Sequence, residues 1–562
     1  MGIDMADELP DRYDRQVRLW GEQGQKSIGQ TSVAVIGSSA LATEILKSLV
    51  LAGIGSYKIF DDELVQESDT GNNFFVSRAD LNKPRAEVVT ASLNELNPSV
   101  KGCYSRRNFN TSSSLAVLND FSLVIGAQLP MDSAEYVADY LYKRNIPFVW
   151  ANTVGLVGYF RLSYREHEIL HDHRELPPHD FRLQAPFSTF QEFGDKMDLE
   201  NMKHEQHSHI PYVVLLLKTL QIWRTEINDS TALPTNYKAR KEFTKILMDM
   251  QKLNEQGIYN EDNFEEGKHQ IIRSFAGIEP NENVKQLFND PRSSSLSETA
   301  EALSLFWLYV AAVKQFYTTH GYLPLSGSLP DMTSDTNTYT TLVNLFREQA
   351  LKEAEEIHNY TIELSKKHQI DDLKITFSET VNYCKNFSRL GAVTGTNLAD
   401  ELKKGNLQQV FTSISEYLQA NPSLSAENGQ MNGDGSEKSP EVCPLVWLVI
   451  LRAAEFFFKG KNRFPGTNGV PCALDAGDLF ERVKKLLDEQ DSKLVENLEA
   501  LIPMRAIEEV CRYGNAELNA VVSILGGVVA QEVIKLCTQQ YVPVDNTFVF
   551  DGNTQKSTTI RL

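Results

Sequence analysis

The sequence predicts an α/β protein: a doubly wound, Rossmann-like sheet interrupted by a large, mostly helical insertion. Three observations predict it. Residues 1–165 alternate strand-like and helix-like runs. From 166 to 485 the apolar periodicity is helical, with few strand-like runs. From 486 to 562 the first style returns, so the C-terminus completes the domain that the N-terminus begins. At 562 residues the chain is too long for one core, and two or three domains are expected.

The elements follow in order. Val33-Ala34-Val35-Ile36-Gly37 reads as a buried strand, and Ser38 to Ala42 opens a helix that runs to about Ala52. Tyr57 to Phe60 is a second strand. Strands follow at 100–104, 123–126 and 148–151, with a helix at 133–144 before the last and an added strand at 156–165. Within the insertion the clearest helices are 299–316 and 339–367; apolar residues such as Leu342, Leu345, Leu351 and Ile357 recur among charges in the second. Residues 421–440, NPSLSAENGQMNGDGSEKSP, are polar and turn-rich and read as a disordered loop. Ala516 to Cys537 reads as a helix containing Gly526-Gly527, and strands at 547–550 and 557–562 are joined by Asp551-Gly552-Asn553. Each glycine inside a helix costs about 1 kcal/mol relative to alanine, so the pair suggests close packing against a second backbone, in its own domain or in a partner.

The βαβ frame at 33–62 is the one that carries G-x-G-x-x-G and, about 20 positions later, an acid for a ribose hydroxyl. Here the three glycine slots hold Gly37, Ser39 and Ala42, and Asp61 occupies the acidic position. A Cβ at Ser39 is expected to block the approach of backbone N–H groups to a pyrophosphate. The frame is kept and the phosphate cradle is degraded.

Composition narrows the function classes. A net charge of −20 argues against nucleic acid as a partner. The N-terminus has no apolar core of a signal peptide. The most apolar window, Val442 to Phe458, is interrupted by Arg452 and Glu455 and reads as a buried helix, so no membrane span is expected. Six cysteines lack any C-x-x-C pair, which fits a reducing compartment, cytoplasmic and possibly nuclear, and excludes a four-cysteine zinc knuckle. His204, His207 and His209 match no zinc spacing and read as a polar loop; no metal site is expected in this chain. Cys384 and Cys443 attract notice only as thiols. In Tyr13 to Gly21, Tyr13, Val17 and Trp20 share one helical face and Arg12, Arg15 and Arg18 line another. That stripe is a solvated face, or a guanidinium offered to a phosphate.

Together these residues resemble the ubiquitin-activating enzyme family. The resemblance is carried by RYDRQVRLWGEQGQ at 12–25, ILKSLVLAGIGSYKIFD at 45–61, GNNFF at 71–75 and NKPRAE at 82–87. HSHIPY at 207–212, PLSGSLPDM at 324–332, CRYGNAEL at 511–518 and LGGVVAQEVIK at 525–535 follow in order. It implies a fold of the ThiF/MoeB type. It also implies the inactive half of that fold, because the family's phosphate arginine falls on Asn72, its lysine on Arg85, and its magnesium acid near Gln128-Leu129. No thioester cysteine or paired zinc motif is recognisable.

The function this implies is a regulatory, non-catalytic half of a heterodimeric activating enzyme for a ubiquitin-like modifier in neddylation, upstream of cullin modification. SUMO is the alternative modifier. A self-sufficient adenylyltransferase and a dinucleotide-dependent oxidoreductase are the alternative activities. The partner, the catalytic subunit, would bind ATP, Mg²⁺, zinc and the modifier, and would carry the thioester cysteine; this chain alone would bind no cofactor. Arg15, with Arg18 second, would reach the partner's ATP. His209, Pro211, Tyr212, Pro330, Asp331, Met332, Gly526 and Gly527 would face the partner. The insertion would be this chain's share of the catalytic-cysteine domain.

Overall fold

The structure, a computed structural model, describes residues 11–110, 112–173, 179–275, 279–294, 304–368, 375–404, 407–421, 442–489 and 501–562. The chain divides into two compact units: Met1–His167 with Val393–Leu562, and Glu168–Ala392. The first holds the sheet. All but Asn421 of the polar stretch 421–440 lies outside the described residues.

In the first unit α1 (Asp14–Gln30) precedes β1 (Ser32–Ile36), α2 (Ala40–Ala52) and β2 (Ser56–Phe60). Then come α3 (Arg85–Leu96), β3 (Lys101–Ser105), β4 (Leu123–Ala127), α4 (Met131–Tyr142), β5 (Phe148–Val154) and β6 (Val157–Ser163). The C-terminal part supplies α5 (Pro444–Lys461), α6 (Cys472–Asp488), α7 (Met504–Tyr513), α8 (Asn519–Thr538), β7 (Thr547–Asp551) and β8 (Lys556–Ile560). The eight strands lie in the order β8-β7-β6-β5-β4-β1-β2-β3. β3 to β5 across β2, β1 and β4 are parallel, and β6, β7 and β8 extend the sheet antiparallel. The parallel part is doubly wound, and its strand order reverses between β1 and β4.

Strand alternation sorts the core onto two faces. Val33 and Val35 of β1 pack with α2, α3 and α8 on one face. Ala34 and Ile36 pack with α4 to α7 on the other. Helices after Val393 thus cover a sheet face, although the sequence pattern carries the helical part to 485; their apolar stripes, Val446 and Ile450 for example, are buried against that face. α8 is long and apolar enough to cross a membrane, yet half of it is buried inside the protein. It packs along α2, and a Cβ at Gly526 would lie 2.9 Å from Glu44 Cβ, so the glycine permits the close helix pair. Gly527 faces open space.

The charges that interrupt the apolar window of α5 are buried and partnered. Arg452 donates from Nη2 to Glu401 at 2.7 Å, and its guanidinium lies 4.5 Å from the Trp150 ring centroid. Glu401 also accepts from Arg161 Nε at 2.7 Å, and Arg161 is fully buried in β6. Two cations therefore share one carboxylate inside the unit, at the join of β6 with the C-terminal part.

The second unit is helical, with a core of Tyr212 to Trp223, Phe243, Phe264, Leu342 and Phe346 and a neighbouring cluster around Trp307, Val310, Ile357 and Phe387. The helices expected at 299–316 and 339–367 are Leu305–His320 and Thr336–His368; residues 299–303 lie outside the described residues.

Replacing Glu401 by Ala leaves Arg161 and Arg452 buried without the carboxylate they share. The expected loss is about 3–5 kcal/mol, read as a lower denaturant midpoint for the unit that holds the sheet. A loss under about 1 kcal/mol would show that solvent already screens the pair.

Candidate functional site

At the point where strand order reverses, the C-terminal ends of β1 and β4 open onto a cleft of about 970 Å³. Gly37, Ser39, Asp61, Asn72, Arg85 and Gln128 line it, together with Glu455 and Glu517. Ala42 stands behind it, fully buried in α2. This is where a doubly wound sheet binds its ligand.

The turn out of β1 is built as for a nucleotide. Gly37 has φ +94°, and a Cβ there would lie 2.8 Å from the Ala127 carbonyl oxygen. Ser39 caps α2, its hydroxyl accepting from Ala42 N–H at 3.4 Å. The first N–H groups of α2 would normally await an anion. Here the Ala40 N–H donates to Glu517 Oε2 and the Leu41 N–H to Glu517 Oε1, each at 3.0 Å. One carboxylate thus takes both donors at the positive end of the helix. Glu517 arrives on the segment after α7, which pairs with Gly155 at the β5–β6 turn; the Gly155 N–H donates to Ala516 O at 2.8 Å. Asn72 donates to Glu517 O at 3.4 Å.

The observed contact revises the role expected for Ser39. An oxyanion reaches the backbone N–H groups despite the Ser39 side chain, so its Cβ does not close the seat. The Ser39 hydroxyl instead stands beside Glu517 at the cap of α2, and it, the two N–H groups and Arg85 favour the charged carboxylate. Burial is the larger effect and leaves the Glu517 carboxyl above the usual carboxylate range.

Asp61 is committed in the same way. Its Oδ2 accepts from the Ser38 N–H at 3.0 Å, from the Ser38 hydroxyl, and from Arg85 Nε and Nη2 at 3.1 and 3.0 Å. Arg85 is also paired with Glu63 at 2.8 Å and Asp69 at 3.2 Å. One guanidinium answers three carboxylates. Gln128, near the expected magnesium acid, makes two hydrogen bonds to the Thr153 backbone, at 2.8 and 3.0 Å. Around the start of α2 the acids outnumber the cations and the donors are engaged, so these residues do not fit a magnesium triphosphate.

Arg15 and Arg18 lie elsewhere, on α1. Tyr13 and Trp20 anchor that helix: the Tyr13 hydroxyl accepts from Asn97 at 2.8 Å, and Gln540 donates to Trp20 O at 2.8 Å. Arg18 is exposed and pairs with Asp14 at 2.9 Å. Arg15 is exposed and has no ion pair or hydrogen bond among the described residues.

The second-unit residues expected at an interface divide. His209 and Asp331 are exposed, and Pro330 and Met332 are half-buried. Pro211 and Tyr212 are buried, and Tyr212 packs edge-on against Phe181 at 5.8 Å in the core of its unit. Tyr212 therefore holds its own unit together rather than offering its ring to a partner. The histidine segment also differs from the polar loop expected. His204–His207 is a helical turn, and His207 is fully buried, stacked on Phe264 and 2.5 Å from Glu261. Among the described residues no group of His, Cys, Asp and Glu is arranged to hold a metal. Burial pushes the Cys384 and Cys511 thiols up to about 12 and Cys537 to about 11, so none of these three is a thiolate at neutral pH.

The family model that matches this chain is that of the ThiF family, over residues 13–562. The chain belongs to the ThiF family. Within it, the chain is similar along its length to proteins named NEDD8-activating enzyme E1 regulatory subunit. The one from Caenorhabditis elegans is 40% identical, covering 98% of both chains. The one from Gallus gallus is 32% identical, again covering 98% of both. The Arabidopsis thaliana protein named NEDD8-activating enzyme E1 regulatory subunit AXR1 is 31% identical over 98% of this chain and 96% of its own. The doubly wound sheet and its switch-point cleft are thus the ThiF framework, with Glu517 seated in it.

Glu455 lines the far side of the same cleft and accepts the Met131 N–H at the start of α4, at 3.2 Å. Burial raises its carboxyl to about 7. The folded state therefore holds the proton more tightly than the unfolded chain. That stability is complete below pH 4.5 and is lost as pH rises toward about 7. Glu455→Gln removes the dependence, so the variant should gain on wild type by up to ~3 kcal/mol between pH 4.5 and 8. Parallel pH–stability curves for the two proteins would refute this.

Proposed function

We propose that this chain is the regulatory, non-catalytic subunit of a heterodimeric NEDD8-activating enzyme. The observation that carries the reading is the Glu517 carboxylate in the phosphate seat of a sheet otherwise built for nucleotides. End-to-end similarity to proteins named as such regulatory subunits supports the modifier and the pathway. The partner, a catalytic subunit of similar fold, binds ATP, Mg²⁺ and zinc, adenylates the modifier's C-terminus and takes it as a thioester on its own cysteine. This chain holds no cofactor of its own and works in the cytoplasm or nucleus.

Its contribution to chemistry is Arg15. α1 is fixed at Tyr13 through Asn97 and at Trp20 through Gln540, and the Arg15 guanidinium between them is exposed. A guanidinium held on a segment anchored on either side costs little to place against a phosphate of the partner's ATP. His209, Asp331 and Gly527 remain candidates for the contact surface, since each is exposed.

Arg15→Ala in the assembled complex should slow ATP–pyrophosphate exchange on the order of 10²-fold, as loss of one charge-stabilising donor does. Co-purification of the catalytic subunit should be unchanged. Undiminished exchange removes Arg15 from the mechanism. Failure of the full chain to co-purify with any adenylating partner overturns the subunit reading.

A further inference from the structure

We infer that Glu517 is a built-in pseudo-ligand: its carboxylate occupies an intact oxyanion seat, and shortening that one side chain turns the seat into a binding site for phosphate. The inference is independent of which partner the chain serves.

Three observations support it. The seat's geometry is that of a bound anion, with two backbone N–H groups at the start of a thirteen-residue helix each 3.0 Å from a separate carboxylate oxygen. The occupant comes from 477 residues away in sequence, so it is not a local capping turn of α2. Two side chains stand beside the same place: the Ser39 hydroxyl at the cap of α2, and Arg85, 3.1 Å from the Ser38 hydroxyl, whose charge favours the carboxylate. Remove the carboxylate and two N–H donors, one hydroxyl and the field of a guanidinium remain around a space open to the cleft. That donor set recognises a tetrahedral oxyanion.

The glycine losses have another consequence in this light. Ser39 and Ala42 leave room for a carboxylate at hydrogen-bonding distance, so they do not by themselves exclude a phosphate. Exclusion is electrostatic and steric: an anion entering the cleft meets Glu517 already seated, with Asp61, Glu63 and Asp69 holding Arg85. A carboxylate is a durable occupant because its effective concentration is fixed by the fold, whereas a free anion must give up its translational freedom.

The test uses the full-length chain and inorganic phosphate, titrated by calorimetry and by thermal unfolding against chloride of matched ionic strength. Glu517→Ala should bind phosphate saturably, about tenfold or more tighter than wild type. Glu517→Gln, which keeps a neutral side chain in the seat, should gain far less. Equal phosphate responses in wild type and Glu517→Ala, or a response that chloride reproduces, overturn the inference. If the Ala variant fails to fold, amide exchange of the 40–41 segment in Glu517→Gln decides the matter. Loss of the carboxylate should speed exchange there about tenfold or more, and unchanged protection shows that Glu517 does not hold the seat.

Discussion

The carboxylate of Glu517 on the first turn of α2 organises the first unit. An unpaired helix N-terminus at a sheet's switch point has partial positive charge and unsatisfied donors facing a polar cleft. In this chain those donors are answered from within. The contact ties the segment after α7 to the start of α2, beside the β5–β6 turn at Gly155. Two charge-assisted hydrogen bonds of this kind contribute about 1.5–3 kcal/mol each, opposed by the cost of burying the carboxylate. What a nucleotide would do for an active sheet, holding the two sides of the cleft together, a side chain does here.

The surrounding charges follow the same logic. Asp61 stands at the ribose position but accepts from Ser38 and Arg85. Arg85 stands at a phosphate position but is shared among Asp61, Glu63 and Asp69. Gln128, near the position where the resemblance puts an acid, bonds the β5 backbone. The charged groups at the start of α2 have thus been given protein partners. Arg15 is the contrast, an exposed cation on an anchored helix with no partner among the described residues.

How much of this could be read from sequence depended on the range of the interaction. The βαβ frame was legible to within a residue or two, because strand alternation, the Gly37 turn and the α2 apolar run are local signals. The departures from the glycine pattern at Ser39, Ala42 and Asn72 were legible, but they do not close the seat as expected, and its occupant was not legible. Glu517 lies 477 residues from Ala40, and nothing about an isolated glutamate marks it as the cap of a distant helix. Arg452 and Glu455 looked like interruptions of an apolar helix, and their meaning depends on Glu401 and Met131, which only folding brings near. Tyr212 and His207 sit in a segment that reads as surface, and both are buried because partners from later helices cover them. Periodicity reports which face of an element is apolar; it does not report which remote residue will be laid against it.

The join of β6 with β7 bears on how the chain comes off the ribosome. β6 ends at Ser163 and its outer neighbour is Thr547–Asp551, so the strand waits until that distant segment has been made. Arg161 on that strand waits too, for Glu401. Until then an apolar edge with open hydrogen-bonding groups, and a cation without its counter-ion, are exposed to whatever the nascent chain meets. A sheet closed by strands made so much later cannot mature vectorially. A truncation that spares every residue of the cleft's glycine turn but removes 547–560 therefore leaves the sheet unfinished.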